Sequence, residues 1–220
     1  MTPQQLKRNN IILLVCLVVL ITVFPIIQSP QTMFRQVILA AIVLSSMFCL
    51  DFGKRTLTII LPIGLVVITL IFLSNFLHND ILSIIDYVAI FLFLLLIVVF
   101  IVRHIARKGE VDATIIISSI NGYLLLGVLW SLLLYATYIL ESQILAGPPA
   151  ILFPGSAPPD YHDVVYFTFV TLTTLGYGDI IPVSDISRSV TLLISISGQF
   201  YMTLLVAMLV GKYLGTKKDS

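Results

Sequence analysis

Long apolar stretches broken by short polar ones run the length of the chain. Four fall in the first half, at 11–27, 33–50, 57–76 and 81–102, with Pro25 near the far end of the first and Pro62 inside the third. Each is close to the ~20 residues that a helix needs to cross ~30 Å of hydrocarbon. The first is slightly short, as a leader peptide would be. It has no small-x-small cleavage site before Gln31, so it reads as a retained helix. In the second half, 114–140 is a long run whose start is mildly polar (Ser118, Ser119, Asn121, Gly122), which predicts a helix lying along the membrane surface before it crosses. The stretch 142–160 holds Pro148, Pro149, Pro154, Pro158 and Pro159 and predicts an exposed loop. Residues 161–173 are apolar but too few to cross, a length that suits a re-entrant helix. A short return at 180–187 with Pro182 precedes a last crossing at 190–214. The pattern predicts an all-α membrane protein of six transmembrane helices plus one half-crossing between the fifth and sixth.

Composition agrees. Of the 220 residues, 59% are hydrophobic and 10% charged, with a mean hydropathy of +1.09. Soluble domains carry about a quarter charged residues. The net charge of +1 says little, whereas the placement of the charges says much. With the N-terminus inside, the inner side holds ten basic residues (Lys7, Arg8, Lys54, Arg55, Arg103, Arg107, Lys108, Lys212, Lys217, Lys218) and the outer side two, Arg35 and Arg188. That bias fixes the expected orientation, with both termini cytoplasmic. Asp80, Glu141, Asp160, Asp163, Asp179 and Asp185 then lie outside, where they would concentrate cations. Cys16 and Cys49 sit in apolar runs and read as small buried hydrophobes. His78, His104 and His162 are isolated from one another, which argues against a metal site, although His162 at the outer face would lend pH sensitivity.

One polar stretch does not look like a turn. It is Thr171-Leu172-Thr173-Thr174-Leu175-Gly176-Tyr177-Gly178-Asp179. Glycines one residue apart let the backbone alternate between right- and left-handed dihedrals, since only glycine visits the latter at little cost. In that alternation successive carbonyls face one axis, and rings of such oxygens can replace the hydration shell of a cation. Leu175 and Tyr177 would turn outward as a collar, and Thr174 would add a hydroxyl.

These residues carry a resemblance. TTLGYGD resembles the signature of the tetrameric potassium channels, whose commonest form has Val in place of Leu175. Tyr123-Leu124-Leu125-Leu126-Gly127-Val128-Leu129-Trp130 and the C-terminal half resemble bacterial members of the two-transmembrane pore-domain group. The resemblance implies that Thr174, Leu175, Gly176, Tyr177 and Gly178 line a selectivity filter, with K⁺ held at Thr174, Leu175, Gly176 and Tyr177 as the permeant ion and no other cofactor. Asp179 would stand at the filter mouth, and Tyr166, Phe167, Thr171 and Thr173 would support it. Gly198 falls where relatives keep a hinge glycine in the pore-lining helix, and a spacer role is the equal alternative. Gln199 faces either a neighbouring helix or the aqueous pore. Trp130 reads as packing.

The chain also departs from the family. The best-known members have Trp-Trp where this chain has Tyr166-Phe167, and one indole bonds the filter tyrosine. Phe167 cannot donate, so the Tyr177 hydroxyl must find Thr168, Thr171 or water. Val170 replaces a carboxylate of some members, so Asp179 loses a carboxyl partner. Altered slow inactivation is the expectation. The run 81–102 lacks the arginine array of voltage-gated channels, its one charge being Asp86, so little intrinsic voltage dependence is expected.

The sequence therefore divides into a four-helix region (1–108) and a pore domain (109–220). It reads as a K⁺-selective homotetramer in a bacterial plasma membrane, contacting lipid, with no nucleic-acid partner and no ligand-binding domain after Leu214. The alternatives are a weakly selective cation pore and a non-conducting subunit of other channels. An enzyme built on Ser197-Gly198 is disfavoured, since no histidine lies at membrane depth to activate the serine.

Overall fold

The structure is a computed structural model that describes residues 2–23, 31–50, 54–77, 79–108, 112–145, 147, 149–154 and 160–216. Pro25, His78, Glu110, Pro148, Pro158, Pro159, Lys217 and Lys218, on which expectations rested, lie outside them. Seven α-helices follow in order among the described residues: α1 (Pro3–Thr22), α2 (Gln31–Ser46), α3 (Lys54–Leu77), α4 (Asp80–Arg107), α5 (Ala113–Ile139), α6 (Tyr161–Leu172) and α7 (Asp185–Thr216). A π-helical turn, Leu140–Ile144, ends α5. Two short strands, β1 (Ile151–Leu152) and β2 (Ile181–Pro182), pair antiparallel. Five helices are long and apolar enough to cross a membrane. In α2 the apolar part, Phe34–Ser46, is shorter. The protein is an all-α, multi-pass membrane protein.

The helix starts show why boundaries moved. Helix α1 begins at Pro3, well before the apolar run, because Thr2 and Gln5 form a reciprocal capping box and Pro3 fits the first turn. The polar N-terminal residues are thus helical, and Asn10 is fully buried. Its Nδ2 donates to the Cys49 carbonyl at 2.6 Å. Asn121 Nδ2 of α5 in turn donates to the Asn10 carbonyl at 2.9 Å, and the Ser118 hydroxyl lies 3.0 Å from Asn10 Oδ1. The polar start of α5 does not lie along a surface. Ser118, Ser119 and Asn121 are buried inside the protein, so the interfacial expectation is corrected: those side chains serve helix–helix hydrogen bonds.

Helices α1 to α4 follow one another in contact, and both α1 and α4 close on α5. Helix α5 is consequently covered nearly all round, its polar side chains Ser118, Ser119, Asn121 and Ser131 buried with it. Apolar helices gain no hydrophobic energy by leaving lipid, so close approach and hydrogen bonds must hold them. Gly127 of α5 lies so near the Phe169 ring that a Cβ would strike it. Where α4 and α7 end side by side, the Lys212 ammonium of α7 donates to the carbonyls of Ile105, Ala106 (3.1 Å) and Lys108 (2.5 Å), satisfying oxygens that the end of α4 leaves unpaired.

At the other end, the return after residue 179 is pinned. Val183 N and the Ser187 hydroxyl donate to the Ala150 carbonyl at 2.9 and 2.7 Å, and the Ser184 hydroxyl donates to Glu141 Oε2 at 2.7 Å. The loop expected to be exposed throughout therefore has a buried anchor, with Ala150 at 0% and Ile151 at 2% exposure.

Candidate ion-conduction site

Helix α6 leads into the stretch at residues 173–179. The Asp160 N–H donates to Asp163 Oδ2 at 2.9 Å, closing a box over the first turn. Tyr161 anchors the same turn from below. Its hydroxyl lies 2.8 Å from the Ser131 hydroxyl of α5, and its ring stacks on Tyr87 at 6.5 Å and meets Tyr135 edge-on at 5.4 Å. The Arg35 guanidinium of α2 sits 5.9 Å from both the Tyr87 and the Tyr135 ring centres. Sequence reasoning missed this cluster; tyrosines on three helices and an arginine on a fourth leave no local signal.

Past Leu172 the backbone reverses hand at alternate residues. Thr174 has φ of 60°, Gly176 of 57° and Gly178 of 78°, and these are the left-handed positions among the described residues. The N–H groups of Leu175 and Gly176 both turn back to the Val170 carbonyl, at 2.9 and 3.3 Å. Among the described residues no hydrogen bond ends on the carbonyls of residues 174–178, and residues 173–179 are all exposed. Thr174 was expected to line the stretch and to add a hydroxyl. It is also a left-handed residue, which no sequence signal marks, since a β-branched side chain disfavours that region.

The side chains around the stretch divide. The Tyr166 hydroxyl donates to Asp179 Oδ2 at 2.8 Å. Asp179 therefore has a partner on α6 without a second carboxyl group. That hydrogen bond to a carboxylate is the main reason the Tyr166 phenol is held above its ordinary value. Phe167 is buried. The Tyr177 side chain is 65% exposed and reaches neither Thr168 nor Thr171, while Thr168 Oγ1 is buried without a hydrogen-bond partner. The Thr173 hydroxyl donates back to the Phe169 carbonyl at 2.7 Å, within α6, and Thr171 accepts from Thr174 N at 2.9 Å through its carbonyl.

A family model described as "Ion channel" matches residues 123–214, the span that contains α5 from Tyr123, α6, the left-handed stretch and nearly all of α7. Over these residues the chain is similar to ion channels. A calcium-gated potassium channel TvoK from Thermoplasma volcanium is 49% identical over 39 residues, which is 18% of this chain and 11% of that protein. The match thus spans about a tenth of the relative's length. No solved structure matches.

In the channel segment α7 continues unbroken through Gly198. A Cβ there would strike the Leu172 carbonyl at the end of α6 and lie 2.8 Å from Leu172 Cδ1. Gly198 is a spacer in this conformation. Beside it, Trp130 Nε1 donates to Ser197 Oγ at 2.8 Å, and the Trp130 ring lies 5.7 Å from that of Phe91, so the indole does more than fill space. Ser197 in turn donates to the Ile194 carbonyl at 3.0 Å, an engagement unlike that of a nucleophile. The Gln199 carboxamide reaches the filter stretch, with Nε2 3.5 Å from Thr174 Oγ1.

Proposed function

We propose that the chain forms a K⁺-selective channel, with Thr174, Leu175, Gly176, Tyr177 and Gly178 as one of four strands of a selectivity filter. The alternation of hand at residues 174, 176 and 178 carries this reading. It supports a column of carbonyls free to replace water around a dehydrated cation. The carbonyls of Thr174, Leu175, Gly176 and Tyr177 would hold K⁺, and Asp179 would mark the outer mouth.

One chain supplies one strand, and a ring of oxygens needs several. Leu175 and Tyr177 are 56% and 65% exposed in the single chain, and α7 leaves Leu192, Leu193, Ile196 and Phe200 uncovered. These faces favour a homotetramer with the filter at its centre. Residues 109–220 would form the pore unit, and residues 1–108 a peripheral bundle that completes six crossings, with both termini in the cytoplasm. Gly198 remains a candidate hinge as well as a spacer.

The test is ion flux from liposomes holding this protein alone. Strong K⁺ over Na⁺ selectivity is expected, and Gly176→Ala should abolish it, since a Cβ at that φ is strained. Equal Na⁺ and K⁺ flux through the wild-type protein refutes the reading. A second reading, a weakly selective cation pore, draws on the Tyr177 phenol, which finds no partner on its own chain to brace the filter. Bi-ionic reversal potentials separate the two.

A further inference from the structure

Helix α7 carries a single carboxamide at mid-depth, and it stands at the inner end of the filter stretch. The Thr174 hydroxyl donates its one proton to the Thr173 carbonyl at 2.6 Å, leaving its lone pairs to accept. Gln199 Nε2 lies 3.5 Å from that oxygen. The carboxamide oxygen of Gln199 has no hydrogen-bond partner among the described residues, and the side chain is exposed in the chain. A carboxamide in an apolar span is costly unless it is bonded or wetted, and one long contact uses one of its two donors and neither acceptor lone pair.

We infer that Gln199 is a cation-binding residue of the conduction path: its carboxamides form a polar ring at the inner mouth of the filter that sets how strongly a cation arriving from the inside is held before it enters the filter. This rests on the filter reading above. The amide N–H fixes the Thr174 hydroxyl with one lone pair still available, and the amide oxygen offers a further ligand to a cation that is shedding water as it enters. Leu193 and Ile196, at the other places on this stretch of α7, supply no polar atom, and the Ser197 hydroxyl is held by Trp130 and the Ile194 carbonyl. Ser195 also carries a hydroxyl, but Gln199 is the side chain of this stretch that reaches the Thr174 hydroxyl.

The probe is Ba²⁺, doubly charged and close to K⁺ in size, applied to either face of the full-length protein in planar bilayers. Gln199→Met, of similar length and without polar atoms, should weaken block by internal Ba²⁺ by about fivefold or more. Gln199→Glu should strengthen it by about tenfold through the added charge. Block by external Ba²⁺ and the K⁺ over Na⁺ reversal potential should stay as in the wild type, which a general disturbance of the filter would not allow. If one variant fails to assemble, the other decides the matter alone. Internal block within about twofold of wild type in the assembled variants, with K⁺ selectivity intact, overturns the inference and leaves the filter reading standing. A wild-type protein that passes Na⁺ as readily as K⁺ removes both.

Discussion

At the scale of single residues, the conduction stretch is a backbone held against its preference. Placing a non-glycine residue in the left-handed region costs about 1–2 kcal/mol, and Thr174 bears that cost. It is offset locally by the Leu175 and Gly176 amides bonding the Val170 carbonyl and by the threonine hydroxyl bonding Thr173. The outer end is tied by Tyr166 and Asp179. Tyr166→Phe removes that tie without changing the ring, so slow inactivation in single-channel records should quicken several-fold while K⁺ selectivity persists. The pH dependence follows from the same bond. Because the phenol's value is raised above the usual ~10, the donor keeps its proton through neutral pH and loses it only as pH rises past that raised value. Inactivation of the wild type should therefore approach that of Tyr166→Phe only in strongly alkaline external solution. The glycines of this stretch were legible because each residue type has few reasons to recur at that spacing. The Tyr166–Asp179 bond was not, because a tyrosine on a helix and an aspartate past a loop are brought together only by the chain reversal between them.

At the scale of elements, apolar runs announced every long helix, since spanning length is imposed by the bilayer rather than by neighbours. Their ends were less legible. The polar residues before the first run looked like a cytoplasmic lead-in, yet a capping box and a buried asparagine make them the first turns of α1. The start of α5 looked interfacial for the same reason: Asn and Ser read as polar whether they meet water or each other. The junction of α1, the end of α2 and α5 depends on Asn10, whose amide and carbonyl groups face Cys49, Ser118 and Asn121. Asn10→Leu keeps the backbone carbonyl that Asn121 Nδ2 meets but leaves the Cys49 carbonyl without its buried amide donor. A loss of about 1–3 kcal/mol is expected, read as a lowered midpoint of thermal unfolding in detergent.

At the scale of the molecule, the peripheral helices resemble a voltage-sensing unit in number only. Helix α4 has Asp80 at its outer start, Asp86 buried within it, and Arg103, His104 and Arg107 gathered in its last two turns. Moving one elementary charge through 100 mV supplies about 2.3 kcal/mol, and α4 has no ladder of cations at membrane depth to collect it. The slope of open probability against voltage should correspond to about one charge or less per subunit. A slope equivalent to several charges would refute this. What the sequence did not disclose is how closely these helices are joined to the pore: α1 and α4 flank α5, and Tyr87 of α4 stacks on the first residue of α6.

The Lys212 contact gives that union a mechanical meaning. One ammonium group near the end of α7 completes the last carbonyls of α4. Sliding either helix by a turn would strip those oxygens of their cation and leave the lysine stranded beside apolar side chains. The two ends are thus yoked like rods sharing one pin. A displacement of α4 would therefore be felt at the end of α7 through that shared contact.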